Sequence, residues 1–126
     1  IAQGAELWLD GGHNPAGGEA LAQTLAGMAK KPTHLICGML NTKDVAGYMR
    51  PLAAQAQSLT AIDIPGEPNT LPATETARIA TAAGLTARTA PDAATAVRQI
   101  VDETPHARLL ICGSLYLAGH ILRAHA

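Results

Sequence analysis

Three short polar segments contain the residues whose types and spacing could do chemistry. The first is Asp10-Gly11-Gly12-His13-Asn14, in which two glycines separate a carboxylate from an imidazole. The carboxylate could accept hydrogen bonds from a ribose diol, ligate a metal or cap its own turn. The imidazole could donate to a phosphate, act as a general acid or base, or brace the corner. By itself, this segment is compatible with a ligand site and with structural capping.

The other two segments provide a cation and a hydroxyl. Lys43 and Asp44 precede a predicted helix, where a lysine could be presented to an anion or form a solvated charge pair. Ser114 precedes the last predicted helix, where its hydroxyl and the nearby N–H groups could bind a carboxylate or only cap the helix. Together the three segments describe a site for an anionic ligand without identifying that ligand.

Short apolar runs alternate along the chain with longer helical stretches, a pattern typical of a parallel sheet covered by helices. Strands are predicted at about 5–10, 33–38, 59–64, 86–89 and 108–112. Helices are predicted after Pro15, after Asp44 with an irregularity at Pro51, from about Pro72 to Ala83, after Asp92 and after Tyr116. We expect one α/β domain over residues 1–126, with a three-layer αβα Rossmann-like fold and a mostly parallel sheet of five to six strands.

The first predicted helix has well-marked limits. Asn14 supplies an N-cap residue and Pro15 suits the first helical position. Lys30 and Lys31 are expected in its last turn, where cations favour the negative end of the helix dipole, just before Pro32.

Each of the three polar segments follows a predicted strand. Because ligands of open α/β sheets bind beyond the carboxyl ends of the strands, these segments are the candidate site.

Composition excludes several classes of partner. The chain has 126 residues, a net charge of -1 and only 2% aromatic residues, which leaves neither a basic footprint nor a stacking platform for nucleic acid. No apolar run approaches the length of a membrane span, and no leader-like segment opens the chain, so we expect a cytoplasmic location. Cys37 and Cys112 each end an apolar strand and are expected to be buried reduced thiols.

The familiar nucleotide signatures are absent from the sequence. It contains neither the Gly-x-Gly-x-x-Gly fingerprint nor the Gly-x-x-x-x-Gly-Lys-[Ser/Thr] phosphate loop. The five histidines show no helical metal-ligand spacing, and the two cysteines lie far apart in sequence. We therefore expect no metal to be held by this domain alone.

The three segments resemble the motifs of one family in the same order along the chain. The run from Leu9 to Pro15 is similar to the Asp-Gly-Ala-His-Asn-Pro motif of the folylpolyglutamate synthase and dihydrofolate synthase family. Gly38 to Asp44 resembles its Gly-x-x-x-x-Lys-Asp segment, and Gly113 to Gly119 resembles its Gly-Ser-Leu-Tyr-Leu-x-Gly. Gly12 departs from the usual alanine, and His120 stands where many relatives carry an acidic residue.

The resemblance implies the C-terminal domain of a two-domain ligase related to the Mur peptidoglycan ligases. In such enzymes the N-terminal domain holds the phosphate loop and most of the Mg²⁺ ligands, and ATP lies between the domains. The implied reaction activates a dihydropteroate or folate carboxylate as an acyl phosphate, which the amine of L-glutamate attacks. The implied partners are these substrates and the N-terminal domain, in a monomeric enzyme whose isolated C-terminal domain is inactive.

The resemblance also implies roles for individual residues. Asp10 is expected to bind the ATP ribose, and His13 is expected to lie near the nucleotide phosphates or the acyl phosphate as the catalytic residue. Lys43 and Ser114 are candidates for binding the incoming glutamate. The competing hypothesis is a stand-alone Rossmann-like module that binds or senses a small anion without catalysis, which leaves the ordered motifs unexplained.

Overall fold

The computed structural model describes residues 6–10, 14–41, 44–114, 117 and 119. Within them, five parallel strands form one sheet in the order β1-β5-β2-β3-β4. The strands are β1 (Glu6–Leu9), β2 (Thr33–Cys37), β3 (Ser58–Ala61), β4 (Ala87–Thr89) and β5 (Arg108–Cys112). The helices are α1 (Pro15–Ala26), α2 (Val45–Met49), α3 (Ala73–Ala82) and α4 (Ala93–Glu103), and a 3-10 turn covers Arg50–Leu52. The predicted α/β class is confirmed.

Helices cover both faces of this sheet. Residues of α1, α2 and α3 share one apolar cluster with Leu35, Leu59 and Leu110 of the strands. On the other face, α4 and Leu117 pack against Ile36 and other strand residues. The helices that connect β1 to β2, β2 to β3 and β3 to β4 lie on one face of the sheet. The helix that connects β4 to β5 lies on the other. This arrangement follows from the right-handed crossover of parallel strands, because reversing direction across a sheet moves the connecting helix to the opposite face.

The central strands have the sequences that their position requires. β5 is buried along its whole length, and β2 is buried except at His34. Strands covered on both faces have near-continuous apolar runs, and both do. The edge strands are more exposed, and β4 is the short, polar edge strand that the sequence predicts. No helix in the described part of the chain is long and apolar enough to cross a bilayer.

The N-cap residues predicted for α1 and α4 cap these helices in the structure. The Asn14 side chain accepts a hydrogen bond from the Gly17 N–H at 2.8 Å, and Pro15 opens α1. Asp92 caps α4 in the same way, accepting from the Thr95 N–H at 2.7 Å. These caps satisfy N–H groups that have no partner within the helix.

Several predicted boundaries were wrong. Helix α1 ends at Ala26, so Lys30 and Lys31 lie beyond its last turn rather than in it. These lysines, with Gly27 and Met28, belong to the loop that connects α1 with β2. β3 ends at Ala61 rather than at residue 64. The last hydrogen bond between this segment and β2 is donated by the Ile62 N–H to the Cys37 carbonyl.

The remaining expectations concern the second and last helices. The irregularity expected near Arg50 is confirmed, since α2 gives way there to the 3-10 turn that contains Pro51. Of the predicted last helix, Leu117 is buried, whereas Ile121 and Leu122 lie outside the described residues.

Candidate functional site

The three polar segments leave the sheet side by side. They follow β1, β5 and β2, which are neighbours in the strand order. Backbone hydrogen bonds keep the strands aligned to their ends: the Asp10 N–H donates to the Ile111 carbonyl at 2.9 Å, and the Gly38 N–H donates to the Cys112 carbonyl at 3.3 Å. Parallel strands place all their carboxyl ends at one edge. The sheet therefore brings together Asp10, Ser114 and the segment that leads to Lys43.

The first segment turns from β1 into α1. Asp10 lies directly after the strand, at the rim of a recess of about 90 Å³ that is lined mainly by apolar residues such as Trp8 and Leu21. Asn14 closes the corner as the helix cap. Asp10 therefore has the position that was predicted for it. His13, which was predicted to act near the phosphates, lies outside the described residues.

Helices α1 and α2 make a close backbone contact. Gly18 of α1 is buried against the backbone of Tyr48 in α2, and a Cβ at this position would collide with the Tyr48 carbonyl oxygen. Glycine is costly in the middle of a helix, so its presence here is explained by the approach of the two backbones. This contact joins α1, which follows the first segment, to α2, which follows the second.

The second segment follows β2 and ends at α2. Gly38 and Met39 are buried, and Asp44 caps α2 by accepting a hydrogen bond from the Gly47 N–H at 2.8 Å. A depression of about 250 Å³ lies beside this segment, and its lining includes Asn41 and Asp44. Lys43 lies outside the described residues, so its predicted contact with glutamate stays a prediction.

The third segment follows β5 through a glycine that no other residue could replace easily. Gly113 has φ of 104°, and a Cβ there would lie 2.7 Å from the Gly38 oxygen and 2.8 Å from the Cys37 sulfur. The strand exits are therefore packed against each other. Ser114 comes next and is only 1% exposed. It is positioned between the other two segments, as the strand order requires.

A buried group of polarisable side chains lies below these exits. Cys37 and Cys112 are register partners on β2 and β5, and both are buried free thiols, as predicted. The neighbouring Cys112 thiol and burial raise the pKa of the Cys37 thiol well above its usual range. Burial, with contributions from both thiols and from the charge of Asp10, also raises the pKa of the Tyr48 hydroxyl. The Cys37 thiol and the Tyr48 hydroxyl therefore stay neutral near pH 7.

The Asp10 carboxylate can accept hydrogen bonds from ribose hydroxyls at the edge of the sheet. The described residues do not fit a metal centre, because no cluster of three His, Cys, Asp or Glu side chains occurs among residues 6–10, 14–41, 44–114, 117 and 119.

Sequence patterns missed two features of the site. Tyr48 was not singled out, although its position four residues after the Asp44 cap places it on one face of the helix with that cap. The contact between Gly18 and Tyr48 was also missed, and the two successive glycines inside α1 were the available signal. Such glycines indicate that another backbone approaches closely.

Comparison with known proteins agrees with this architecture. The profile of the family described as Mur ligase, glutamate ligase domain, matches residues 1–115. Folylpolyglutamate synthase of Lacticaseibacillus casei is 31% identical over 113 residues, which cover 90% of this chain and 25% of that protein.

Two solved structures are also similar to this chain. Mycobacterium tuberculosis folylpolyglutamate synthase complexed with ADP and AMPPCP has a TM-score of 0.85 and 29% identity, over 94% of this chain and 29% of that one. A bifunctional folylpolyglutamate synthase/dihydrofolate synthase with Mn, AMPPNP and L-glutamate bound has a TM-score of 0.82 and 25% identity, over 99% of this chain and 30% of that one. The chain thus spans less than a third of the length of these relatives. Its sequence and its fold show that it belongs to the Mur ligase, glutamate ligase domain family.

Proposed function

We propose that residues 1–126 act as the C-terminal domain of an ATP-dependent ligase that adds L-glutamate to dihydropteroate, to folates or to both. The reaction would transfer the γ-phosphoryl group of ATP to a substrate carboxylate, releasing ADP. The glutamate amine would then attack the acyl phosphate carbon, form the amide bond and release phosphate. The similar proteins of known structure hold ADP, ATP analogues and L-glutamate, which supports this choice of substrates.

The observation that carries the proposal is the convergence of the three motif segments. Their order in sequence is β1, β2, β5, but β5 lies between the other two in the sheet. This order places the serine segment between the aspartate corner and the lysine segment. A site built from three separated parts of a chain is expected of a ligand-binding edge in an α/β sheet.

Each predicted site residue has a role in this scheme. Asp10 would accept hydrogen bonds from the ATP ribose, and His13 would lie near the phosphates or the acyl phosphate. Lys43 would pair with a glutamate carboxylate, and Ser114 would donate a hydrogen bond to one. Reactions of this type depend on positioning and on neutralising charge, so these residues would orient the reactants rather than form covalent bonds with them.

The rest of the site would come from a second domain. We propose that an N-terminal domain supplies the phosphate loop and most of the Mg²⁺ ligands, with ATP in the cleft between the two domains. This division accounts for the absence of a triphosphate cradle from the present sequence. The isolated chain would therefore bind ATP weakly and would not turn over. A monomeric enzyme in the cytoplasm is part of the same proposal.

Steady-state kinetics of the two-domain protein would test the residue roles. Loss of a hydrogen bond to a charged group costs about 1.5–3 kcal/mol, which corresponds to roughly tenfold or more in affinity. Asp10→Ala should therefore raise the KM for ATP by about tenfold and leave the KM for glutamate near its original value. Ser114→Ala should raise the KM for glutamate instead.

A matched variant controls for the loss of a negative charge. Asp102 is an exposed aspartate of α4, on the opposite face of the sheet from α1, so Asp102→Ala should leave both constants unchanged. Unchanged kinetics of Asp10→Ala would remove Asp10 from the nucleotide site. Equal changes in both constants for Asp10→Ala and Asp102→Ala would show a general effect of charge or stability.

A further inference from the structure

A fourth segment of the chain lies at the carboxyl edge of the sheet. Residues 62–72 follow β3, which is the neighbour of β2 in the strand order, and they lead into α3. We refer to residues 62–72 as the fourth segment. None of its residues belongs to the three motif segments, so the proposed ligase reaction gives it no role. Its contacts are with the lysine segment, which runs from Gly38 to Asp44.

The fourth segment pairs with the lysine segment in a short antiparallel bridge. The Asn41 N–H donates to the Asn69 carbonyl at 2.9 Å, and the Leu71 N–H donates to the Met39 carbonyl at 2.8 Å. Thr70 is the central residue of the bridge on the side of the fourth segment. Backbone hydrogen bonds on both sides of Thr70 therefore connect the two segments.

The Thr70 side chain joins the two parts of the fourth segment that contact the lysine segment. Thr70 is half-buried, and its Oγ1 accepts a hydrogen bond from the Ile64 N–H at 2.8 Å. Ile64 is buried against the start of the lysine segment, where a Cβ at Gly38 would lie 3.0 Å from the Ile64 Cγ1. The hydroxyl thus links the bridge at Thr70 with the apolar contact at Ile64.

These contacts hold the lysine segment close to Lys43 in sequence. Only two residues separate Asn41, which the fourth segment binds, from Asp44, and Lys43 is one of them. Asp44 is held as the cap of α2, where it accepts a hydrogen bond from the Gly47 N–H at 2.8 Å. A shift of the bridge would move one of these two anchors and, through the short connection, Lys43 with it.

We propose that Thr70 is a positioning residue for glutamate binding. Its hydroxyl holds the fourth segment in the shape that binds the lysine segment, and the lysine segment presents Lys43 to a carboxylate of glutamate. The inference rests on the proposed function, because the contact of Lys43 with glutamate belongs to that function. Thr70 would act through Lys43 without touching the substrate. Displacement of a binding group lowers affinity even when the group itself is retained.

Steady-state kinetics of the two-domain protein test the role of the hydroxyl. Thr70→Val has a similar shape but leaves the Ile64 N–H without its acceptor. It should raise the KM for glutamate by about tenfold, with a smaller change in kcat and an unchanged KM for ATP. Thr70→Ser keeps the hydroxyl and should restore the KM for glutamate. Thr81→Val removes an exposed hydroxyl from α3 and should leave all three constants unchanged.

A double-mutant cycle tests whether Thr70 acts through Lys43. Lys43→Gln should raise the KM for glutamate by itself. Adding Thr70→Val to Lys43→Gln should then change this KM little further, because the charge that Thr70 positions is already absent. If Thr70→Val raised the KM as strongly in the Lys43→Gln protein as in the original one, the proposed action through Lys43 would be wrong.

Hydrogen exchange of the same variants separates the failure of this proposal from the failure of the proposed function. Exchange of the Asn41 and Leu71 amides, measured by mass spectrometry of the two-domain protein, should be about tenfold faster in Thr70→Val and normal in Thr70→Ser. Unchanged exchange in Thr70→Val, or faster exchange with an unchanged KM for glutamate, would overturn the positioning role and leave the ligase reaction in place. An original protein without glutamate-dependent ADP release would contradict the proposed function, and the role of Thr70 with it.

Discussion

The Tyr48 hydroxyl lies in the core below the candidate site, and among the described residues it forms no hydrogen bond of normal geometry, the weakly bonding Cys112 thiol being its polar neighbour. An unsatisfied buried hydroxyl costs about 1–3 kcal/mol, whereas an apolar replacement of the same shape removes that cost. Tyr48→Phe should therefore leave the free energy of unfolding unchanged or raise it by up to about 1 kcal/mol. Chemical denaturation followed by circular dichroism measures this change. A loss of more than about 1 kcal/mol would show that the hydroxyl has a partner.

His34 gives the molecule a specific dependence on pH. Its Nδ1 lies 2.6 Å from the Ser58 hydroxyl, and its buried Nε2 has no hydrogen-bond partner among the residues that the structure describes. Burial and the nearby charge of Arg88 lower its pKa, while Glu103 acts in the opposite direction. The unfolded chain then binds more protons than the folded chain below pH 6.5, so stability falls as the pH is lowered from 7 towards 5.

The comparison of His34→Gln with the original chain isolates this contribution. Glutamine retains a polar group next to Ser58 but does not titrate, so the variant should lose less stability between pH 7 and pH 5. Parallel denaturation curves at several pH values in that range provide the measurement. Identical pH profiles for the two proteins would mean that the folded state does not disfavour protonated His34.

The sequence was sufficient to predict the role of a residue where that role depends only on its neighbours along the chain. Asn14 and Asp92 were recognised as caps because a cap depends only on its own turn and the next three residues. The position of Asp10 at the end of β1 was also predictable, because it depends only on where the apolar run of that strand stops. The burial of Ser114 and the position of Tyr48 could not be predicted, since both depend on contacts between distant parts of the chain.

At the level of elements, the order of strands and helices was predictable but some of their ends were not. Apolar runs and capping residues determined where the elements occur. The charges of Lys30 and Lys31 suggested a longer α1, but the helix stops at Ala26 and both lysines lie in the loop before β2. A cation is tolerated in an exposed loop as well as at a helix end, so charge alone could not determine where α1 ends.

Because of the contact between α1 and α2, a glycine-to-alanine substitution in α1 should lower the stability of the fold instead of raising it. Replacing glycine by alanine inside a helix normally gains about 1 kcal/mol. At Gly18 the new Cβ would collide with the Tyr48 carbonyl, so Gly18→Ala should instead destabilise the fold by about 1–3 kcal/mol. Thermal or chemical unfolding of the variant checks this expectation.

Gly27→Ala is the matched control for this change. A Cβ at Gly27 would meet the Gln23 and Thr24 oxygens at 3.7 Å, which is ordinary contact, so this variant should be neutral or slightly more stable. If Gly18→Ala stabilised the chain as much as Gly27→Ala, the close approach of the two helix backbones would be wrong.

For the whole molecule, the decisive feature is the position of β5 between β1 and β2. Periodicity predicts a parallel sheet but does not determine the order of its strands, because each strand has a similar apolar pattern. The observed order brings the three motif segments to one edge of the sheet, the one formed by the carboxyl ends of the strands. The family resemblance assigned the motifs to one site, and the strand order supplies a physical reason why they can form one.

The central claim is that this chain completes an ATP-dependent glutamate ligase. ADP release by the two-domain protein should be measured with Mg²⁺ and ATP present, and with glutamate and the pteroate or folate substrate each omitted in turn. We expect ADP to form rapidly only when both substrates are present, for dihydropteroate, a reduced folate or both. ADP release that is independent of glutamate, or absent with every pteroate and folate tested, would contradict the account.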